Sequence, residues 1–207
     1  MAVAKWLDWV RRLQSIAQAG FTYNTIDFDQ ERYQQIQAVA SEMAEAHTDI
    51  PKNKIDTLYQ HEKGYATPKV DVRGIVFNEN EEILLVKEAS TGKWTLPGGW
   101  ADVWDTPSQA VEREIREESG YETKATKLLA LFDRDNQGHP AHEFSIWKSF
   151  FLCELQGGEA RTSTETSDVG FFAEDNLPEL DTGRTLEKHN LRFFEHYRDS
   201  SLATDFD

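Results

Sequence analysis

Apolar residues recur every three or four positions in two stretches at the start of the chain, and this spacing predicts two amphipathic helices. The first covers residues 4–19 and is followed by Gly20, a typical C-cap. The second covers about residues 28–46, and Asp27 before it has capping-box spacing to Gln30. A short loop between the helices predicts an antiparallel hairpin, whose apolar stripe must be buried against the rest of the chain or a second copy.

From about residue 67 the apolar residues form the short runs that are typical of strands. Runs at 70–77 and 83–86, separated by the turn residues Asn78-Glu79-Asn80, predict a β-hairpin. Farther along we expect a short strand at 94–96, a helix at 107–119, strands at 128–132, 144–155 and 169–172, and a helix at 184–198. The pattern indicates a small helical domain over residues 1–66, followed by an α/β domain over residues 67–207.

The helix predicted at residues 107–119 has well-defined ends. Thr106 is the expected N-cap, Pro107 stands at the first helical position, and Gln109 completes a capping box. Gly120 is the expected end of the helix.

Three glutamates lie on one stripe of this helix. With 3.6 residues per turn, Glu117 lies about 60° to one side of Glu114 and Glu118 about 40° to the other. Like charges at this spacing repel each other, so the arrangement is kept most readily where a divalent cation such as Mg²⁺ or Mn²⁺ binds. The alternative is a solvated acidic face, and the three glutamates alone favour that alternative.

The residues around the helix change this balance. The chain has Gly99, then five residues, Asp105, seven residues, and Arg113-Glu114-Ile115-Arg116-Glu117-Glu118-Ser119-Gly120-Tyr121. This segment resembles the Nudix box, G-x5-E-x7-R-E-U-x-E-E-x-G-U, where U is a bulky apolar residue. The one departure is Asp105, which stands where the family has Glu and is one methylene shorter, so we expect it to reach Arg113 less well.

The resemblance implies a Nudix-type α/β/α sandwich with a mixed sheet. It also implies hydrolysis of the pyrophosphate in a nucleoside diphosphate linked to another group, with Mg²⁺ or Mn²⁺, two or more ions, bound by Glu114, Glu117 and Glu118. Arg113, Glu117 and Glu118 would serve catalysis, Arg113 by pairing with the acidic residue at 105. With its N-terminal helices, the whole chain resembles a subgroup that acts on ADP-ribose, CDP-choline or similar molecules, and members are typically homodimers.

A general base is expected outside the box, because many relatives use a loop glutamate. Glu165, in the polar loop 162–167, is the candidate. A solvated loop residue is an equally good interpretation of Glu165, Asp168 is a weaker competitor, and Glu118 could share the role.

Six further positions are candidates for substrate binding. Arg73 faces the diphosphate in one interpretation and forms a strand-face ion pair in the other. The histidines His139 and His142 either contact a substrate phosphate or are ordinary loop residues. A zinc site is not expected, because the cysteines or other ligands that would accompany them are missing. The remaining candidates belong to the glycine-rich loop: Gly98, Gly99 and Trp100. The ring of Trp100 either stacks on a nucleobase or packs against the protein.

The charge balance limits the partners. The chain has 37 Asp and Glu against 22 Lys and Arg, a net charge of -15, and no basic run, so general nucleic-acid binding is not expected. It has a single cysteine, Cys153, within an apolar stretch, and no apolar run near the ~20 residues needed to cross a membrane. We therefore expect a cytoplasmic protein, without a signal peptide at residues 1–20.

Two alternatives stay open at this point. The first is a Nudix hydrolase of another substrate class: an RNA 5′ end, NADH or an oxidised nucleotide. The second is a Nudix-fold sensor that binds a nucleotide without cleaving it. Such sensors commonly lack part of the carboxylate set, which here is complete in Glu114, Glu117 and Glu118.

Overall fold

The computed structural model describes residues 4–207, so the first three residues of the predicted helical domain lie outside it. The chain divides into two compact units. One contains Met1–Pro68 and Ala141–Ser145, and the other contains Lys69–Pro140 and Ile146–Asp207. None of the helices in the described part of the chain is long and apolar enough to cross a membrane.

The first unit is built from three helices. They are α1 (Lys5–Tyr23), α2 (Asp27–His47) and α3 (Lys52–His61). Their apolar faces meet in a core that contains Val10, Ala40, Ala44, Ile55 and Tyr59. The predicted pair of helices is confirmed, and the short helix α3 completes the unit.

The predicted end of α1 is wrong, and the reason is packing. The helix continues past Gly20 to Tyr23. A Cβ at Gly20 would lie 2.4 Å from the ring of Tyr33, so this glycine permits close approach of α2 and does not cap the helix. The predicted capping box of α2 is also wrong, because Asp27 is already inside the helix and the N-cap, Ile26, has no side-chain bond.

The second unit contains seven strands and two helices. The strands are β1 (Lys69–Ile75), β2 (Ile83–Glu88), β3 (Trp94–Thr95), β4 (Tyr121–Asp133), β5 (Ile146–Gly158), β6 (Thr166–Phe172) and β7 (Asp205–Phe206). The helices are α4 (Pro107–Ser119) and α5 (Glu187–Arg198). One sheet has the order β1-β5-β4-β7 and the other β3-β2-β6.

The predicted hairpin is confirmed only next to its turn, where Phe77 and Ile83 form an antiparallel bridge and backbone hydrogen bonds link the residues on either side. Farther from the turn, β1 and β2 belong to different sheets. β1 instead runs parallel to β5, which places Asp71 opposite Lys148. β4 runs antiparallel to β5, so this sheet is mixed.

Two apolar cores lie on the helix-covered faces of these sheets. Val111 and Ile115 of α4 pack with Val72 and Leu84 in one core. The other core brings residues of α5 against the strands; it includes Phe193, Phe194, Phe150, Leu85 and Leu129. Helices in both cores confirm the expected α/β/α sandwich.

Candidate active site

Helix α4 carries the site, and its predicted ends are confirmed. The Thr106 side chain accepts a hydrogen bond from the Gln109 N–H, and the Gln109 side chain accepts one from the Thr106 N–H at 3.0 Å. Pro107 occupies the first position, and Gly120 ends the helix with φ 80°. The capping box fixes where the helix begins, and therefore which side chains face the core and which face the site.

Arg113 binds four carboxylates around the start of the site. Its Nε donates to Asp105 Oδ2 at 2.9 Å, and Nη1 donates to Glu114 Oε1 at 2.7 Å and Glu117 Oε2 at 3.2 Å. Nη2 lies 3.4 Å from Asp102 Oδ2. The shorter Asp105 therefore does reach Arg113, although the sequence predicted a weaker contact, because the loop 100–105 brings it close.

Glu118 is the most enclosed carboxylate of the stripe. It is 6% exposed, and its Oε2 accepts a hydrogen bond from the Gly98 N–H at 2.8 Å. Burial raises the pKa of Glu118 to about 7, although the charge of Arg73 and the Gly98 N–H oppose that rise.

Glu114 lies against the glycine-rich loop, while Glu117 faces solvent. A Cβ at Gly99 would meet Glu114 Oε2 at 2.8 Å, so the carboxylate touches the backbone there. Burial raises the pKa of Glu114, and Arg113 opposes that rise. The side chain of Glu117 is 55% exposed and makes its ion pair with Arg113.

The glycine-rich loop runs along β1 like an extra strand. The Gly74 N–H donates to the Pro97 carbonyl at 2.8 Å, and the Val72 N–H donates to the Gly99 carbonyl at 2.9 Å. Gly98 has φ 140°, and a Cβ there would lie 2.0 Å from the Val72 carbonyl oxygen. Only glycine fits this close approach, which explains why a glycine stands at position 98, directly before the Gly99 that begins the box segment.

Arg73 is buried beneath this loop and forms the ion pair that was the alternative to a diphosphate contact. Its side chain is 2% exposed, and Nε and Nη2 each donate to a carboxylate oxygen of Asp71 at 2.8 Å. Its Nη1 donates to the Leu96 carbonyl at 3.0 Å. Its charge also acts on Glu118.

The structure places Glu165 beside the end of α4. Glu165 is exposed, and its carbonyl accepts a hydrogen bond from the Ala89 N–H at 2.8 Å. The next residue, Thr166, donates from Oγ1 to the Glu118 carbonyl at 2.8 Å. The loop that holds the candidate base is thus attached to the helix that holds the glutamates.

The two candidate histidines lie in different units. His139 is in the second unit and 9% exposed; its Nδ1 bonds the Thr182 carbonyl at 2.8 Å. Burial lowers its pKa to about 4. His142 is in the first unit, where its carbonyl accepts a hydrogen bond from Arg11. Trp100 is 47% exposed at the end of the glycine-rich loop, where it forms a bridge with Asp71.

Several charged residues of the site were not apparent from the sequence. Asp71 and Lys148 are buried together with Arg73, and Lys148 Nζ lies 3.0 Å from Asp71 Oδ1. Glu88, at the end of β2, is 4% exposed and pairs with Arg184 at 3.4 Å. Asp102 completes the set around Arg113. The positions of Asp71 and Lys148 depend on the pairing of β1 with β5, which the box pattern does not contain.

The donor chemistry of the stripe fits a hard divalent cation. Two carboxylates with raised pKa values, Glu114 and Glu118, lie beside the backbone of Gly98 and Gly99, and oxygen donors of this kind suit Mg²⁺ and Mn²⁺. Within residues 4–207, no group of three His, Cys, Asp or Glu side chains has the arrangement needed to hold a metal ion as it stands. Arg113 and the Gly98 N–H hold those oxygens instead.

Comparison with known proteins agrees with this fold and site. A NUDIX domain model matches residues 67–194, and a model described as a UDP-X-like, N-terminal oligomerisation domain matches residues 4–59. A Bacillus subtilis (strain 168) protein named "Putative ADP-ribose pyrophosphatase YjhB" is 39% identical over 203 residues, which cover 98% of this chain and 97% of that protein.

Two solved structures are also similar. The crystal structure of an ADP-ribose pyrophosphatase from Streptococcus suis 89-1591 is 38% identical, with a TM-score of 0.62, and covers 68% of this chain and 100% of its own. The crystal structure of a UDP-X diphosphatase is 28% identical, with a TM-score of 0.64, and covers 100% of both chains.

The fold, the carboxylate stripe and these matches define the class: the chain belongs to the Nudix family and is a Nudix pyrophosphatase. Within that class, its N-terminal helices match the model described as UDP-X-like.

Proposed function

We propose that this enzyme is a metal-dependent pyrophosphatase whose substrate is a nucleoside diphosphate linked to another group, of the ADP-ribose or CDP-choline type. The observation that carries the proposal is the pair of enclosed glutamates, Glu114 and Glu118, held against the backbone of Gly98 and Gly99. Relatives named for ADP-ribose and UDP-X, two of them matched over nearly the whole chain, support the substrate class.

Each residue of the site has a part in this proposal. Glu114, Glu117 and Glu118 would hold Mg²⁺ or Mn²⁺, two or more ions, which neutralise the diphosphate oxygens and lower the pKa of a bound water when present. Arg113 fixes the orientation of Glu114 and Glu117 through its two Nη1 contacts.

Proton removal and substrate contact are assigned to other elements. Glu165 accepts the proton of the attacking water, and its loop is held next to the end of α4 by Thr166. Trp100, half exposed beside the glycine-rich loop, offers a ring on which a base can stack. The products are a nucleoside monophosphate and the phosphorylated second group.

The test is turnover of ADP-ribose and CDP-choline by the full chain in Mg²⁺, in Mn²⁺ and in EDTA, with products separated by chromatography. We expect cleavage of at least one substrate with either metal and none in EDTA. Glu117→Gln should lower kcat at least about 100-fold without unfolding the protein, whereas Glu122→Gln, an exposed strand residue, should have no effect. Cleavage of 5′-triphosphate RNA and of neither small substrate would show that the proposed substrate class is wrong.

We further propose that the enzyme is a homodimer and that α1 supplies the contact. Trp9, Ile16 and Tyr23 follow each other at intervals of seven residues, so they lie on one face of α1, and they are 44%, 52% and 68% exposed. A heptad stripe of exposed apolar residues fits a second copy of the same helix. The oligomerisation model that matches residues 4–59 supports the same partner.

Substitution within this stripe tests the dimer. Ile16→Glu places a charge in the middle of the stripe and should convert the dimer into a monomer, as measured by sedimentation at micromolar concentration. Val39→Glu, at an equally exposed apolar residue of α2, is the matched control and should leave the dimer intact. Dissociation by Val39→Glu alone would move the interface from α1 to α2.

A further inference from the structure

Three charged side chains are buried together beneath the glycine-rich loop. Asp71, Arg73 and Lys148 are 7%, 2% and 1% exposed. Arg73 makes two hydrogen bonds of 2.8 Å to the Asp71 carboxylate, and Lys148 Nζ makes a third, at 3.0 Å. We call these residues the buried triad.

The triad is assembled by strand pairing. β1 supplies Asp71 and Arg73, two residues apart and therefore on the same face. β5 runs parallel to β1 and places Lys148 directly opposite Asp71. Since β5 is paired at Lys148 with β1 on one side and β4 on the other, the backbone of Lys148 has little freedom to leave this position.

The triad acts on the loop through Arg73. Its Nη1 donates to the carbonyl of Leu96, the residue immediately before Pro97-Gly98-Gly99. The loop is also bonded to the β1 backbone, and the Gly98 N–H in turn donates to Glu118. Hydrogen bonds therefore connect Lys148 through Asp71 and Arg73 to the loop, and a further hydrogen bond connects the loop to Glu118.

The charges of the triad do not balance within it. Two cations share one carboxylate, and burial of an ammonium group costs several kcal/mol unless it is compensated. Burial lowers the pKa of Lys148 to about 8 despite Asp71, which shows that its charge is disfavoured in this position. Asp71 and Arg73 form a neutral, bidentate pair by themselves, so we expect the second unit to fold when the charge of Lys148 is removed.

We infer that Lys148 and Asp71 are positioning residues of the active site, which set the orientation of Arg73 and through it the place of the Gly98 N–H against Glu118. The expected effect on kcat rests on the proposed function. The expected effect on the Gly98 amide rests on the loop geometry alone. Neither residue touches the substrate in this scheme. Because misplacement of catalytic groups by about 1 Å can lower a rate on the order of 100-fold, a triad remote from the reacting atoms still controls turnover.

The test compares Lys148→Met, Lys148→Arg and the control Lys127→Met in the full chain. Lys127 lies on the neighbouring strand β4, where its Nζ bonds the carbonyls of Ser200 and Leu202, away from the triad. Steady-state kinetics with the substrate that the wild type cleaves are combined with hydrogen exchange of the Gly98 and Gly99 amides, measured without substrate.

We expect Lys148→Met to fold, to lose about 10- to 100-fold in kcat with KM changed by less than about 3-fold, and to exchange the Gly98 amide faster. Lys148→Arg, which keeps a donor to Asp71, should restore part of the rate, and Lys127→Met should match the wild type. An unchanged kcat and unchanged Gly98 exchange in Lys148→Met would overturn the inference. So would a loss of stability in Lys148→Met with kcat retained, since that marks a purely structural role.

The two proposals fail separately. If the wild type cleaves neither ADP-ribose nor CDP-choline, the proposed function is wrong, while faster exchange of Gly98 in Lys148→Met would still support the positioning role. If the wild type cleaves its substrate and the exchange of Gly98 is the same in all variants, the positioning role is wrong and the proposed function stands.

Discussion

Asp105 keeps its contact with Arg113 although its side chain is one methylene shorter than that of glutamate. It occupies the position of a glutamate in the Nudix box, yet its carboxylate lies 2.9 Å from Arg113 Nε. The side chain is 15% exposed, so the contact is partly protected from water. Asp102 contributes a second, longer contact to the same guanidinium, at 3.4 Å.

This contact predicts a graded response to substitution. Asp105→Asn keeps the shape and removes the charge, so Arg113 should be held less firmly and kcat should fall about 10-fold. Asp105→Glu should stay within about 3-fold of the wild type. The control is Asp102→Asn, at a residue whose side chain is 45% exposed, where we expect little change. Equal kcat values for Asp105→Asn and the wild type would contradict this role.

The residue scale also shows what a sequence can reveal about the site. Glu114, Glu117, Glu118 and Arg113 were predictable because they lie on one helix, and their spacing fixes their face. Lys148 was not, because 77 residues separate it from the Asp71 that it binds. No local periodicity relates positions that far apart.

At the scale of elements, the glycine-rich loop is held tightly against β1. Its φ of 140° at Gly98 and the 2.0 Å approach to the Val72 carbonyl leave no space for a Cβ. The loop must therefore shift away from β1 if any other residue is introduced, and the Gly98 N–H would move away from Glu118.

Gly98→Ala should therefore impair both folding and activity. We expect a loss of unfolding free energy of about 2 to 4 kcal/mol and at least about a 100-fold fall in kcat. Gly157→Ala is the control, because nothing lies within 4 Å of a Cβ there and its φ is ordinary. Denaturant unfolding and kinetics of both variants measure the two effects; a Gly98→Ala enzyme of normal stability would refute the close packing.

The bounds of α4 were predicted correctly from its capping residues, whereas the pairing of β1 and the start of β4 were not predicted. The capping box and Gly120 defined α4 correctly because each of those residues acts on the helix itself. β1 is buried from Asp71 to Ile75, so its apolar run carries no alternation that would choose a partner strand, and the sequence did not reveal its pairing with β5. β4 begins at Tyr121, earlier than predicted, because its first half is mostly polar and lacks the apolar run from which the strand was predicted.

At the scale of the whole molecule, two buried histidines tie stability to pH. His139 and His189 have ring centroids 5.8 Å apart and are 9% and 4% exposed. Burial lowers their pKa values to about 4 and about 3, with further lowering at His189 from His139 and at both from Lys148. Both imidazoles are neutral in the folded protein at pH 7. Unfolding exposes them to water and so increases their affinity for protons.

The stability should therefore fall as pH decreases from about 6.5 towards about 4, because the unfolded chain binds protons at the ordinary histidine pKa of about 6.5 while the folded protein does not. Each histidine should contribute about 2 kcal/mol to the loss between pH 7.5 and pH 5, and the pair about 4 kcal/mol, because pH 5 lies about 1.5 units below the unfolded pKa and each unit corresponds to about 1.4 kcal/mol. His139→Gln should reduce the loss in unfolding free energy between pH 7.5 and pH 5, measured in urea. His61→Gln, at an exposed histidine of α3, should leave it unchanged, and an identical loss in all three proteins would contradict the assignment.

The parallel pairing of β1 with β5 sets the order in which the site can be assembled on the ribosome. Residues 69–75 find their partner strand only when residues 146–152 have been synthesised. By then Glu114, Glu117 and Glu118 have already been synthesised, but β1 has only the glycine-rich loop beside it and still lacks β5 on its other edge. A nascent chain that ends near residue 140 thus contains the complete Nudix box but neither β5 nor Lys148, and we expect the pairing of β1 with β5 to be the late step of assembly.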